Sequence, residues 1–341
     1  MSLRIFGVLA APLAGAAAEA MELESLGFDG VVTQETAHDP FLPLALAAEH
    51  THTLQLMTGI AVAFARSPMT LAHVAHDLNS LSQGRFILGL GSQVKAHIER
   101  RFSMPWSHPA ARMREMVQAL RAIFGAWYDG EKLAFEGEFY RHTLTSPAFT
   151  PKDTQAGKPA IFTAAVGPQM TETAGAVADG LIIHPFTTES YLRCVTLPHL
   201  RAGLKSAARP ASACRTCLAP FIVSGRNEEE RARARRVVAD RIAFYASTPT
   251  YRAVLEQHGW GELQAQLHAL TRQGRWAELG SLITDDVLDA FAIVGEVTEI
   301  APKVWSRFGD VVTDFSLVAE GLDARTLGEI ARDLRRCARE S

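Results

Sequence analysis

Cysteine, long apolar runs, surplus charge and low-complexity sequence are all scarce here, and each shortage closes off a class of function. Four cysteines among 341 residues, irregularly spaced, make no disulfide framework and fit a reduced, cytoplasmic protein. Cys214-Arg215-Thr216-Cys217 precedes a strand instead of opening a helix and has no partner pair, so it supports neither zinc nor redox chemistry. No uncharged run approaches the roughly eighteen apolar residues of a membrane span, so no membrane partner is expected. Met1-Ser2-Leu3-Arg4-Ile5-Phe6 enters a strand directly and resembles no signal peptide. With 34 Lys and Arg against 37 Asp and Glu, net charge −3 and pI about 6.5, no nucleic-acid or anionic-membrane partner is expected either. There is no domain linker and no repeat of fixed period, so residues 1–341 read as one domain.

What is present is a large core: 48% of residues are hydrophobic, and α/β barrels often reach this length as one domain. The stretch Leu54–Ser92 organises the rest. Leu54 to Ala63 is apolar and uncharged, as expected of a strand buried on both faces. Ser67 can cap a helix with Pro68 at its first position, and Leu71, Val74, Ala75, Leu78 and Leu81 give that helix one apolar stripe. Gly84 stops it, and Arg85 to Leu90 is a second apolar strand. This is a β-α-β unit with parallel strands and a right-handed crossover. The small residues of Thr58-Gly59-Ile60-Ala61 and Gly89-Leu90-Gly91-Ser92, at the strand ends, leave room for something flat against backbone.

Taken in order, strands are expected at Arg4–Leu9, Gly30–Thr33, the two above, Pro159–Ala164, Gly180–His184, Thr216–Val223 and Val312–Leu317. Helices are expected at Ala14–Leu26, Phe41–Glu49, Pro105–Trp127, Pro168–Val177, Thr188–Ala207, after an Asn227 cap, and at Ala324–Ala338. Eight strand–helix alternations predict a (β/α)8 TIM barrel. Two insertions exceed the minimal barrel, at about 128–158 and 246–294, the second holding Tyr251, Trp260 and Trp276. Long insertions of this kind usually sit where loops build the active site, with a packing subdomain or dimer contact as the plainer reading.

Several motifs are weighed against ordinary structure. Gly167-Pro168 opens a helix after the apolar Ile161–Val166, and backbone N–H groups at such a start form an anion site, unless this is a plain strand-to-helix turn. Gly89-Leu90-Gly91 is no dinucleotide fingerprint, because Val94 stands where a third glycine belongs. His50-Thr51-His52 falls at the N-terminal face of the barrel, where stability residues lie, so no metal is expected. At the C-terminal strand ends the polar residues are Gln34, Glu35, His38 and Asp39 after strand two, Ser92, Gln93, Lys95 and His97 after strand four, and His184 after strand six. Their convergence on one face favours chemistry.

These residues together resemble the bacterial-luciferase-like flavin and deazaflavin oxidoreductases over nearly the whole chain. The resemblance rests on Gly27-Phe28-Asp29-Gly30, on Thr58-Gly59-Ile60 with Arg66-Ser67-Pro68, and on Leu78–Gly91. It continues in Ala164–Pro168 with Ala178-Asp179-Gly180, and in Val294-Gly295-Glu296-Val297 with Glu299. Glu35–Pro43 and Arg100–Trp106 are similar to hallmark stretches of an uncharacterised subgroup dependent on coenzyme F420. The resemblance implies a barrel mouth holding a tricyclic ring, a homodimer packed through early helices, and a cis Gly59-Ile60 peptide backing the ring. It places the cofactor phosphate on Val166, Gly167, Pro168 and Gln169. The implied cofactor contacts are therefore Gly59, Ile60, Ala61, Gly91, Ser92, Ala165, Val166, Gly167, Pro168 and Gln169. Two departures stand out: Glu35-Thr36 replaces the Asp-His that deazaflavin dehydrogenases often carry, and Val94 replaces a glutamate.

The expected function is hydride transfer between the deazaflavin F420 and a small organic substrate. The alternatives are an FMN-dependent monooxygenase served by a separate flavin reductase, and a flavin-binding barrel without turnover. Hydride transfer at a carbon bearing oxygen or nitrogen needs a matched proton transfer, and Glu35, His97 and His184 are the candidates. For Glu35 the competing reading is a structural ion pair with an arginine such as Arg66.

Overall fold

The computed structural model describes residues 2–10 and 12–341. Eight parallel strands close into a barrel: β1 Arg4–Val8, β2 Gly30–Thr33, β3 Gln55–Thr58, β4 Phe86–Gly91, β5 Ala160–Ala165, β6 Gly180–Ile183, β7 Arg215–Leu218 and β8 Asp314–Leu317. Neighbours pair in chain order, β8 returns to β1, and Leu56↔Phe86 joins β3 to β4. The helices packed outside are α1 Ala16–Ser25, α2 Leu42–His50, α3 Pro68–Leu81, α4 Pro109–Tyr128, α5 Pro168–Val177, α6 Leu197–Ser206, α7 Val297–Phe308 and α8 Ala324–Glu340. This is the predicted TIM barrel. Among the described residues no helix is long and apolar enough to cross a membrane.

Alternation along each strand fills the barrel in layers. At the N-terminal end the fully buried Asp314 takes Arg4 Nε at 2.9 Å and Arg215 Nε at 3.0 Å. A carboxylate removed from water is tolerated only because cations are bonded to it. Phe6, Val32, Met57, Ile87, Phe162 and Cys217 form the layer above. Burial pushes the Cys214 thiol up to about 12 and raises Cys217 as well, so both are inert core thiols. Asp29 and Asp179, each followed by the glycine that opens a strand, share one task at this closed end. Asp29 accepts the Ile5 N–H at 2.7 Å, and Asp179 accepts the Ile161 N–H at 2.9 Å. Each ties the start of one strand to the next.

Two expected strands are broken. Leu54–Ala63 divides into β3 and Ala61–Val62 around a cis Gly59-Ile60 peptide, the isomer the resemblance implied. Thr216–Val223 ends as a barrel strand at Leu218. Pro220 has no N–H to continue the ladder, and Phe221–Val223 leaves the barrel to pair in parallel with Ala292–Val294. The chain between these two short strands packs around its own apolar cluster of Phe221, Val238, Ile242, Leu267, Leu288 and Phe291. Pro105–Pro109 does not begin a helix. His108 holds a left-handed φ of 40°, and α4 starts at Pro109. Helix 188–207 is continuous but widens to a π-helical segment at Leu192–Thr196. The 128–158 excursion contains a small hairpin, Phe135–Glu136 with Arg141–His142. The predicted caps are in place: Ser67 Oγ accepts the Thr70 N–H at 3.2 Å, and Asn227 Oδ1 accepts that of Glu230 at 2.9 Å.

Candidate active site

The bulge after β3 is held from both sides. Gly59 N–H donates to Thr33 O at 2.7 Å, and Glu35 N–H donates to Ile60 O at 3.2 Å. Beyond the cis peptide, Ala61 and Val62 pair with Leu90 and Gly91 of β4. Glu35, nearly buried, accepts the Val62 N–H on Oε2 at 2.7 Å and Arg66 Nη1 on the same oxygen at 2.7 Å. Arg66 also reaches Asp39 at 3.5 Å and lies over the Phe41 ring. Glu35 is therefore the carboxylate of an ion pair that clamps the bulge, while Oε1 makes no bond among the described residues.

The end of β4 is shaped by missing side chains. A Cβ on Gly89 would lie 1.8 Å from Thr58 O, and one on Gly91 would lie 2.7 Å from the Ile60 side chain. Both glycines let β4 approach the β3 bulge closely. Ser92 donates to Gln93 O at 3.1 Å, and Gln93 turns the chain with φ 59° into a short helix, Lys95–Arg100. His97 sits exposed on that helix. Arg101 bonds Thr36 O and joins this loop to the one after β2.

After β5, Ala165 and Val166 lead to Gly167, the N-cap of α5, with Pro168 at the first helical position. Gly167 has an extended φ of −87°, and a Cβ there meets nothing within 4 Å. Neither conformation nor packing requires glycine at this point. The first amides of α5, from Gln169 and Met170, have no intrahelical acceptor and lie at the positive end of the helix dipole. Small backbone, open space and free N–H groups fit a phosphate. Tyr191 fixes the approach by donating its hydroxyl to Val166 O at 3.3 Å. Nothing local to Tyr191 in the sequence announces that contact.

His184 follows β6. Its Nδ1 accepts the Phe186 N–H at 3.0 Å, and Nε2 lies 3.4 Å from the Tyr251 hydroxyl. Tyr245 meets the ring edge-on at 4.7 Å. Burial pulls the imidazole down to about 4, so it is neutral at neutral pH. A small cleft between Ala165, Val166, His184 and Tyr191 joins the β5 and β6 ends.

Barrel order makes β2, β3, β4, β5 and β6 successive neighbours. Glu35, Gly59, Ile60, Ala61, Gly91, Ser92, the Ala165–Gln169 turn and His184 thus come to one face from adjacent strand ends. His97 stands apart from them on its surface helix. A floor of small residues and Ile60 beside a helix start with free N–H groups fits a flat ring carrying a phosphate.

Comparison with known proteins gives the family. The family model of luciferase-like monooxygenases matches residues 6–312. The chain is 49% identical to an uncharacterized protein of Mycobacterium tuberculosis strain H37Rv, with 98% of each chain covered. It is 30% identical to the 5,10-methylenetetrahydromethanopterin reductase of Methanolobus tindarius, with 82% of each covered. The coenzyme F420 dependent tetrahydromethanopterin reductase structure from Methanopyrus kandleri shares the fold at TM-score 0.78 and 21% identity, covering 97% of each chain. The oxygenating constituent of 3,6-diketocamphane monooxygenase from Pseudomonas putida, in complex with FMN, shares it at 0.66 and 15%, covering 98% of each. The chain belongs to the luciferase-like monooxygenase family and is an oxidoreductase of the kind that works with a flavin-type cofactor.

Proposed function

We propose that the protein uses coenzyme F420 at the barrel mouth and moves hydride between it and a small organic substrate. The observation that carries this reading is Gly167: a glycine that the fold does not need, at a helix start open to ligand. A 27% identical putative coenzyme F420-dependent oxidoreductase of Mycobacterium tuberculosis and the F420-type hallmark stretches support F420 over FMN. When bound, the deazaflavin supplies a ring carbon that carries hydride and, lacking the oxygen-adduct position of flavin, reacts slowly with oxygen. Gly167 to Gln169 would hold the phosphate, and Gly59, Ile60 and Ala61 would back the ring opposite Gly91 and Ser92. The candidates for the accompanying proton are Glu35, His97 and His184. Glu35 Oε1 is available as a proton acceptor, while His184, neutral with Nδ1 taken by the Phe186 N–H, offers a hydrogen bond through Nε2 and not a proton. Exposed Met21 on α1 and Leu42 on α2 support a homodimer through these helices.

The test is a spectral titration of the full chain with F420 and with FMN, followed by reduction and exposure to air. Saturable F420 binding and a reduced form stable in air are expected. Preference for FMN with rapid oxygen-dependent reoxidation would instead establish a monooxygenase.

A further inference from the structure

The two ring nitrogens of His184 have different work. The Phe186 N–H points at Nδ1, so Nδ1 carries the lone pair, and the neutral ring keeps its proton on Nε2. Nε2–H faces the Tyr251 oxygen at 3.4 Å, which is long for a hydrogen bond. The phenol therefore has its oxygen turned to His184 and its own proton uncommitted. Among the described residues Tyr251 makes no other side-chain hydrogen bond, and burial raises it to about 12, so it remains a donor through the neutral range.

The rings in contact with Tyr251 are aromatic and uncharged, and the charge felt at this wall is that of Arg241, an exposed guanidinium near enough to act on the Tyr245 phenol. Tyr251 stacks beside His184 at 4.9 Å and Phe186 at 5.7 Å, with Tyr245 edge-on to it at 6.1 Å. Phe291 backs Phe186 at 4.5 Å. Among the described residues, none of the side chains bonded to or stacked on His184 and Tyr251 carries a charge. Arg66, over at the β3 bulge, is already taken by Glu35 and Asp39. An anionic group placed against His184 and Tyr251 would lose its water with no cation among the described residues bonded to or stacked on either ring.

We infer that Tyr251 is the hydrogen-bond donor to an uncharged oxygen acceptor of the substrate, a carbonyl on an apolar frame, seated against the aromatic wall that the 221–294 segment adds to the barrel mouth. This takes its location from the cofactor reading above but is tested apart from it. His184 acts as a positioning residue, holding the phenol oxygen so that its proton points away.

Three probes of one shape separate the contributions: acetophenone, benzoate and ethylbenzene, each followed by ligand-observed NMR with the full chain, with and without F420. Wild type should bind acetophenone at least about tenfold more tightly than benzoate, the cost of an uncompensated anion. Tyr251→Phe keeps the ring and deletes the hydroxyl. It should weaken acetophenone about threefold to tenfold, as for loss of one neutral hydrogen bond, and leave ethylbenzene and F420 affinity unchanged. An unchanged acetophenone affinity in the variant, an equal loss for ethylbenzene, preference for benzoate, or no acetophenone binding would each overturn the inference. The benzoate comparison uses wild type alone, so it stands even if the variant does not fold. If the probes behave as expected while F420 fails to bind, the cofactor reading falls and the Tyr251 assignment holds.

Discussion

At the scale of single residues, Gly167 and Gly89 lack a side chain for opposite reasons. A Cβ on Gly89 would strike Thr58 O at 1.8 Å, whereas one on Gly167 meets only open space. Gly89→Ala should therefore destabilise the barrel by several kcal/mol, because backbone cannot yield as a side-chain tip can, and urea unfolding would register it. Gly167→Asp should leave the unfolding midpoint unchanged and lower F420 affinity by at least about tenfold, since a carboxylate would meet the phosphate at the helix start. Wild-type affinity in that variant would move the phosphate elsewhere. Glu35 poses a different question. Its Oε2 carries both the Val62 N–H and Arg66, each at 2.7 Å, so Glu35→Gln keeps an acceptor and loses the charge. Charge-assisted bonds contribute about 1.5–3 kcal/mol, and the variant should lose stability of that order through a looser bulge. Single-turnover reduction of bound cofactor separates the two roles. A rate lowered about 10²–10⁴-fold at unchanged cofactor affinity assigns Glu35 to proton transfer, and an unchanged rate leaves it a clamp.

At the scale of elements, what could be read in advance was what is written locally. Ser67 before Pro68, and Asn227 before Glu228-Glu229-Glu230, state their helix starts in adjacent residues, and both caps form. Asn227→Ala should cost the helix Glu228–Ala246 about 1 kcal/mol, visible as a lower thermal midpoint. Because this helix packs in the segment that supplies Tyr245, the same variant should leave F420 binding intact while loosening the aromatic wall. The strands were found by their apolar runs, yet a run does not say where a ladder stops. Thr216–Val223 is apolar almost throughout, and only Pro220 marks the point where the chain leaves the barrel. Its new partner, Ala292–Val294, is too distant in sequence for any local pattern to name. The site divides in the same way. The bulge, the glycine-rich β4 end and the Gly167 turn lie within short stretches and could be picked out. The sequence leaves Glu35 open between an ion pair with Arg66 and proton transfer, because a carboxylate's partner is a tertiary fact. The Tyr191 bond to Val166 and the meeting of His184 with Tyr251 depend on how the added segment folds back, and no periodicity records that.

For the whole molecule, the cost of building an aromatic wall around a histidine should appear in its response to pH. Burial brings His184 to about 4 from an ordinary value of 6.5. Between those values the unfolded chain binds a proton that the folded chain refuses, so stability rises with pH across this window and is level above it. As pH falls, stability is complete down to about pH 6.5 and then declines progressively toward pH 4. A tenfold change in proton affinity is worth about 1.4 kcal/mol, so the full loss from this ring approaches about 3 kcal/mol, reduced to the extent that water reaches its half-buried edge. His142 and His258 are also lowered by burial and tilt the curve the same way. The comparison must therefore be between wild type and His184→Gln, which leaves those two in place. Gln cannot take up a proton, and its amide can still meet the Phe186 N–H and the Tyr251 hydroxyl. Urea midpoints measured from pH 4 to pH 8 should converge as the pH falls if His184 supplies this part of the acid sensitivity, with wild type losing more stability than the variant. Parallel curves would mean that the ring is hydrated in solution and that the wall around it is open.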